Sequence, residues 1–336
     1  MPIRIIAEIG VNHNGSIDMA CELIRNAKGC GADIAKFQTF SADRLAAWNT
    51  PKVPYQLRTS DPEESHYDML KKLELSREDH GELNRYCEKL GIEFCSTPYS
   101  REDAEFLYEL GVRTFKVASA DIVDRTLHEF LASTGCECIV ATGMATLDEI
   151  AATLDIYERN GSREKVILLQ CVSAYPAELA DVNLRAMNLL RERFQVRVGF
   201  SDHTRGCACA VAAAALGAEV IEKHFTLDPS LPGPDHAASV TPVELTELVQ
   251  SIRAVELALG DGVKRICSAE EAMRGVSRKS IVAARDLMAG EVISMADLAF
   301  RRPGTGLSPM RYPELVGLQL RVSLRAGEPL QREHLR

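Results

Sequence analysis

The sequence predicts an eight-stranded (β/α)8 barrel of the TIM type, followed by a small C-terminal module. Three observations carry this. Over the first 226 residues one unit repeats: a short apolar run, a polar loop, then a helical pattern that ends in Gly. The apolar runs fall at 3–9, 32–39, 92–97, 113–119, 138–143, 166–173, 196–202 and 218–225. Strands that alternate with helices imply a parallel sheet covered on both faces, and eight such units close a barrel. The competing open sheet lacks its marker, because no Gly-x-Gly-x-x-Gly follows the first run. Finally, the composition changes after residue 279, from long helical periods to short β-like runs punctuated by Gly and Pro. The expected organisation is a barrel at 1–262, a linker at 263–279 and a module at 280–336.

The elements carry their own boundaries. Helical patterns occupy 17–29, 77–90, 147–159 and 206–216. Ser76-x-x-Asp79, Ser100-x-x-Asp103, Thr146-x-x-Glu149 and Thr241-Pro242-x-Glu244 have the form of capping boxes. Cys30-Gly31, Leu90-Gly91, Leu110-Gly111 and Leu216-Gly217 stop helices just before strands. The longest connection, residues 41–75, follows the second strand and holds Trp48, Pro51, Pro54 and the charged stretch Asp61–Glu64. A loop of this length above a barrel strand reads as a functional cover. The last barrel helix spans 242–259 and ends at Gly260-Asp-Gly262; a short helix at 268–274 lies in the linker. The module contains an internal echo, Leu287-Met-Ala-Gly-Glu291 to Leu298 against Leu324-Arg-Ala-Gly-Glu328 to Leu335, which predicts a pseudo-symmetric turn-and-strand device. A unit this small is marginal alone and is expected to pack on a partner surface.

Composition excludes several classes. The net charge of −9 and the dispersed basic residues argue against a nucleic-acid surface, while leaving room for a local cationic pocket. No apolar run is long enough to span a bilayer. Met1-Pro-Ile-Arg4 has no signal-peptide pattern, and a cytoplasmic location is expected. Ten cysteines in such a chain read as reduced and mostly buried; neither Cys136-Glu-Cys138 nor Cys207-Ala-Cys209 has the spacing of a zinc pair.

Catalytic groups of a barrel sit at the C-terminal ends of its strands. Those ends carry Glu8, Lys36 and Gln38, Thr97, Lys116 and Ser119 with Asp121, Thr142, Tyr175, His203 and His224. Ser201-Asp202-His203-Thr204 and Glu222-Lys223-His224-Phe225 each end an apolar run, so two imidazoles at the ends of neighbouring strands are placed to share a divalent ion. Lys36 and Lys116 interrupt apolar strands. A buried lysine needs an anionic partner, either a core carboxylate or a substrate. Together these groups point to a phosphorylated or carboxylated substrate and a metal. Glu8 is a candidate acid/base; His13 reads as structural and Asn14-Gly15 as a turn.

The ordered motifs Glu8-Ile-Gly-Val-Asn-His13, Lys36-Phe-Gln38-Thr, Phe94-Cys-Ser-Thr97-Pro, Lys116-Val-Ala-Ser119, Ala141-Thr-Gly-Met-Ala-Thr146, Ser201-Asp-His203-Thr, Glu222-Lys-His224-Phe-Thr and Gly233-Pro-Asp235 resemble those of the sialic acid synthases. These are the phosphoenolpyruvate-dependent nonulosonic acid synthases. Arg301-Arg302-Pro303-Gly304-Thr305-Gly306 resembles their antifreeze-like SAF module, a small β-clip domain. The resemblance covers nearly the whole chain. It implies a TIM barrel with a domain-swapped SAF module in a homodimer, and condensation of phosphoenolpyruvate with an N-acylated mannosamine-type sugar, with release of phosphate.

Residue by residue, the resemblance places Mn²⁺, or Mg²⁺ or Co²⁺, on His203 and His224. It places phosphoenolpyruvate on Lys36, Thr97, Lys116, Ser119, Ser173 and Ser201, and the sugar on Gln38, Asp121, Tyr175, Asp235 and Arg302. Arg302 is expected to act from the partner subunit. Glu8 matches the catalytic glutamate. Two departures bear on the acceptor: Ala120-Asp121 stands where many members have Gly-Glu, and Ser173 stands where many have Asn. N-acetylmannosamine and a 2,4-diacetamido-trideoxyhexose are both open as acceptors. Two other classes compete. A Schiff-base pyruvate aldolase would use a strand lysine and no metal; a non-catalytic carbohydrate- or ice-binding protein would use the module alone.

Overall fold

A computed structural model describes residues 2–336 except Trp48, residues 53–55 and Pro62, and the side chains of Arg58 and Thr59. Trp48 and Pro54, singled out in the long connection, therefore lie outside the described residues. Eight parallel strands close a barrel in sequence order: β1 Arg4–Gly10, β2 Ile34–Thr39, β3 Glu93–Pro98, β4 Thr114–Val117, β5 Glu137–Ala141, β6 Val166–Gln170, β7 Arg197–Asp202 and β8 Val220–His224. β1 pairs with β8, Glu8 lying opposite His224, and with β2, Glu8 lying opposite Lys36. The fourth and sixth strands are shorter than their apolar runs, because the chain leaves the sheet after Val117 and Gln170. Ser119–Val123 turns into a 3-10 helix instead.

Alternation along the strands builds two cores. One set of side chains faces the helices and forms the main apolar core, with Ile5, Ala35, Phe37, Phe115, Val140 and Phe200 among its members. The other set points into the barrel. Its lower layer is Ile6, Ile34, Cys95, Ile139, Ile167, Leu169 and Val220. Two residues further along β1, β2, β3 and β8 come Glu8, Lys36, Thr97 and Glu222, joined by Ser201 of β7, all buried. The polar layer thus rests on a dry apolar plug, which raises the cost of any unpaired charge in it.

Capping follows the pattern of the sequence. Ser76–Asp79, Thr146–Glu149 and Thr241–Glu244 form reciprocal boxes, and Gly91 ends its helix at φ 67°. Ser100 makes only its own half of a box, since the Asp103 carboxylate is taken by Arg44 and by the Ser100 hydroxyl. The long connection contains three helices: α1 Ala42–Leu45, α2 Gln56–Thr59 and α3 His66–Leu73. Buried Lys52 gathers its middle by donating to Ser60 Oγ (3.1 Å) and the Asp61 carbonyl (2.6 Å), 3.5 Å from Glu64 Oε2. Among the described residues no helix is long and apolar enough to cross a membrane.

A second compact unit begins at Asp261. Its helix runs Ser268–Ser277, and two short strands, Ser280–Ala283 and Leu298–Arg301, pair antiparallel. The two copies of the echoed segment meet: Leu287 and Leu324 exchange backbone hydrogen bonds of 2.8 and 2.9 Å. Each copy closes the same turn, with Glu291 accepting from Met288 N and Glu328 from Arg325 N, both at 2.9 Å. Ten buried apolar residues, Ile281 and Leu315 among them, make a separate core. Exposed Arg302 sits in a loop held close to this unit; a Cβ on Gly304 would fall 2.9 Å from Arg278 Cβ, and one on Gly306 2.9 Å from the Leu330 carbonyl.

The barrel interior has no room at Gly199 of β7, where a Cβ would lie 2.4 Å from the Val220 carbonyl and 2.6 Å from Leu169 Cδ2. Gly199→Ala is expected to lower stability by about 1–3 kcal/mol through overpacking. Gly29→Ala, in a helix with nothing within 4 Å, should be neutral or stabilising. Urea unfolding of the two variants beside the parent checks both.

Candidate active site

The inward alternation at the top of the barrel converges on a cavity of about 340 Å³. Its floor is a four-charge cluster. Lys36 Nζ lies 2.6 Å from Glu8 Oε2 and 3.6 Å from Glu222 Oε2 and donates to Thr97 Oγ1 at 3.0 Å. Lys116 Nζ donates to Glu222 Oε1 at 3.1 Å, and Ser201 Oγ donates to the same oxygen at 2.8 Å. Burial alone would lower Lys36, but the Glu222 and Glu8 carboxylates hold it above the usual lysine range. Burial alone would raise Glu222, and the Lys116 and Lys36 ammoniums outweigh it and hold the group ionised. Glu8 is raised by burial, which the Lys36 contact opposes and the charge of Glu222 reinforces. Two carboxylates in one site thus carry different proton affinities, an arrangement that separates an acid/base from a permanent anion.

Above the cluster stand the two imidazoles, ring centroids 5.7 Å apart, with the Tyr175 ring 4.2 Å from His203 and 5.5 Å from His224. His203 Nδ1 donates to the Val172 carbonyl at 2.6 Å, which turns Nε2 toward Ser201 Oγ, 3.2 Å away. Burial pushes His203 down to about 4. It pushes His224 well below the usual range, with His203 adding to the effect. Both rings are therefore neutral, the form that binds metal. Among the described residues His224 Nδ1 is buried without a hydrogen-bond partner, and Asp235 Oδ2 lies 3.8 Å from it. Among the described residues no cluster of three or more His, Cys, Asp or Glu is arranged to hold an ion. The donor set that fits a divalent ion is thus a pair of imidazoles, leaving other positions to oxygens of water or substrate.

The loops that carry these groups are braced from outside the barrel. Asp202 accepts from Thr204 N (2.9 Å) and Thr204 Oγ1 (2.7 Å) and pairs with buried Lys223 at 3.0 Å, which fixes the turn bearing His203. Asn12 donates to the Phe225 carbonyl (2.9 Å) and Ser239 Oγ (2.8 Å), tying the loop after β1 to the one bearing Asp235. His13 accepts from Gly15 N and has no place on the cavity wall.

On the β4–β6 side, Ser119 Oγ accepts from Gly143 N at 3.0 Å and lies 3.2 Å from Cys171 Sγ. A Cβ at Gly143 would fall 2.5 Å from Ser173 Oγ and 2.9 Å from Ser119 Oγ, so glycine there leaves the two hydroxyls and the N–H together. Gln38 donates to Glu8 Oε1 at 3.0 Å. Glu8, Lys36, Gln38, Thr97, Lys116, Ser119, Ser173, Tyr175, Ser201, His203, His224 and Asp235 all line the one cavity. Asp121 does not. It sits in the 3-10 turn after β4 with Oδ2 buried and without a hydrogen-bond partner among the described residues, and burial, then Asp124, pushes it up to about 7. The Ala-Asp departure from the Gly-Glu pattern thus falls on a carboxylate that does not reach the cavity wall. Arg302 belongs to the second unit.

Glu222 is a site residue that the motifs alone do not single out, although alternation places it two residues before His224 on the same face. Both strand lysines pair with it, so the core carboxylate that either lysine needed is present. Glu222→Gln leaves two buried ammoniums with one carboxylate and is expected to cost about 3–5 kcal/mol. Urea unfolding checks it, and added inorganic phosphate should restore more stability to this variant than to the parent.

Comparisons with known proteins give the family of the chain. Residues 23–264 match the NeuB family and residues 278–336 match the SAF domain. The chain is 45% identical over 338 residues to the N,N'-diacetyllegionaminic acid synthase of Legionella pneumophila, covering 100% of this chain and 95% of that protein. It is 44% identical over 314 residues to the Campylobacter jejuni protein of the same name, covering 93% and 94%. A crystal structure of N-acetylneuraminic acid (sialic acid) synthetase from Leptospira borgpetersenii superposes with a TM-score of 0.72 at 33% identity, covering 81% of this chain and 90% of that one. On this coverage and identity, the chain is an enzyme of the NeuB family with a SAF domain at its C-terminal end.

Proposed function

We propose that this enzyme is a nonulosonic acid synthase that condenses phosphoenolpyruvate with 2,4-diacetamido-2,4,6-trideoxymannose and releases phosphate. The observation that carries the reaction is the pair of buried lysines sharing Glu222 beneath two neutral imidazoles. The relatives at 44–45% identity favour the diacetamido acceptor over N-acetylmannosamine.

In this reading Lys36 and Lys116 supply charge to the carboxylate and phosphate of phosphoenolpyruvate. Thr97, Ser119, Ser173, Ser201 and the Gly143 N–H supply directed donors. Carbon 3 of the enol attacks the aldehyde carbon of the open-chain sugar, forming the new carbon–carbon bond. Water adds at carbon 2, and phosphate leaves by C–O cleavage. Glu8, raised by burial, holds or takes up the proton exchanged at the sugar oxygen. Gln38, Tyr175 and Asp235 orient the sugar. His203 and His224 would hold a divalent ion, Mn²⁺ or alternatively Mg²⁺ or Co²⁺, whose chemistry is to polarise the aldehyde oxygen.

The aldolase alternative needs an unprotonated lysine amine. Lys36, held between Glu8 and Glu222 above the usual lysine range, is poorly suited to it. The third reading, a scaffold with a carbohydrate-binding module, gives no reason for a buried four-charge cluster at the barrel mouth. The SAF module is proposed to act in a homodimer, Arg302 entering the partner's site and donating to an N-acyl carbonyl.

Three outcomes check these statements. Phosphate release from phosphoenolpyruvate should require both the sugar and a divalent ion, and His203→Ala or His224→Ala should each abolish it; full activity after exhaustive chelation contradicts the metal. Because burial already keeps the rings neutral, Mn²⁺ affinity measured by calorimetry should change little between about pH 7.5 and 5.5, and fall only as pH nears about 4. A steep loss between pH 7 and 6 contradicts this. Mixing His203→Ala with Arg302→Ala protein under subunit exchange should restore activity, since one site of the mixed dimer then carries neither change. Demonstrated exchange with no activity places Arg302 outside the partner's site.

A further inference from the structure

The wall of the cavity supplied by the long connection has no part in the chemistry above. Its apolar part is Leu45, Met69, Leu70 and Leu73, which line the cavity and pack in one apolar cluster with Val11 from the loop after β1 and Phe40 just after β2. Three contacts join it to the charged floor. Gln38 Nε2 donates to Glu8 Oε1 (3.0 Å), Tyr99 OH donates to Gln38 Oε1 (3.3 Å), and the Tyr99 ring meets Phe40 edge-on at 5.9 Å. The cavity therefore grades from carboxylates and ammoniums to methyl groups.

His66, the first residue of α3, also lines the cavity. Its Nδ1 is buried and has no hydrogen-bond partner among the described residues. The nearby Lys52 is already engaged by Ser60, Asp61 and Glu64. Burial, then the Lys52 ammonium, lowers the ring's proton affinity, so it is neutral with one donor and one acceptor nitrogen. Among the described residues, His66 and Gln56 are the polar side chains that the long connection adds to this largely apolar wall, and His66 Nδ1 is left unused.

An acceptor ending in hydroxyls would bury them against Met69, Leu70 and Leu73 with few partners, which disfavours it. An acceptor ending in a methyl group and a secondary amide fits: the methyl meets the aliphatic wall and the amide meets the imidazole. We propose that α3 forms the acceptor-specificity subsite, His66 bonding the acylamino group at carbon 4 of the sugar while Leu45, Met69, Leu70 and Leu73 receive its 6-methyl end. This rests on the synthase reading above and adds the residues that choose the sugar.

The test is steady-state phosphate release by the full chain with 2,4-diacetamido-2,4,6-trideoxymannose and with N-acetylmannosamine, each against the parent, His66→Ala, His66→Gln and Leu45→Gln. His66→Ala should raise the KM for the diacetamido sugar about tenfold, leave the phosphoenolpyruvate KM within about twofold, and lower the preference between the sugars about tenfold. His66→Gln, which keeps a donor and an acceptor, should retain most of that preference. Leu45→Gln should shift preference toward N-acetylmannosamine. A preference unchanged in His66→Ala, or both sugars weakened equally, overturns the subsite while the synthase reading stands. A parent that releases phosphate with neither sugar overturns both. If His66→Ala does not fold, judged by thermal unfolding, His66→Gln and Leu45→Gln decide: loss of preference in the first, or no shift in the second, overturns the subsite.

Discussion

The constraint on which the site depends is the sharing of one buried carboxylate by two buried ammoniums. Glu222 meets Lys116 at 3.1 Å and Lys36 at 3.6 Å, all three side chains being nearly inaccessible to water. Without it, two cations would sit above a dry layer of Ile, Leu and Val, at a desolvation cost that the fold has little margin to carry. With it and Glu8 the cluster is close to neutral. The two lysine side chains are then held pre-positioned, so an anion placed on the cluster would meet donors that need not reorganise. The low dielectric that makes the cluster costly also strengthens its pull on that anion.

The same burial acts in the opposite sense on the imidazoles. The Glu222 and Glu8 carboxylates are near enough to hold Lys36 protonated, but His203 and His224 lie beside each other and beside Lys116, and the charge of Glu222 does not offset their desolvation. One layer of one barrel therefore holds a protonated Lys36 and two neutral imidazoles together. In the proposed reading that combination would take an anion and a metal side by side, with no proton competing for the imidazoles at neutral pH. The braces outside the barrel, Asp202–Lys223 and Asn12 to the β8 loop, keep these groups in place.

The long connection after β2 adds a different kind of surface. Its helices pack by apolar contacts on Phe40 and Val11, and Lys52 gathers its middle through hydrogen bonds and an ion pair. The charged groups thus stand on rigid strand ends, and the apolar wall is largely carried by a loop. The second unit carries its own core and its own repeated turn, Glu291 and Glu328 closing equivalent loops.

Much of this was legible in the amino-acid order. Eight apolar runs, their caps and the echo in the C-terminal module are local signals, and local signals survive in one dimension. The strand-end residues were legible too, because a barrel places them at one mouth once its closure is known. What only the tertiary structure decided is which of those residues meet. Glu222 serving both Lys36 and Lys116 joins residues 106 positions apart in the one case and farther in the other, and no spacing announces it. Asp121 and Ser119 are neighbours in sequence, yet the 3-10 turn sends one carboxylate into the packing and leaves one hydroxyl on the cavity. His66 and its apolar wall lie in a loop with no strand register to aim them. Proton affinities belong to this second class as well, since they are set by burial and by charges brought close in space.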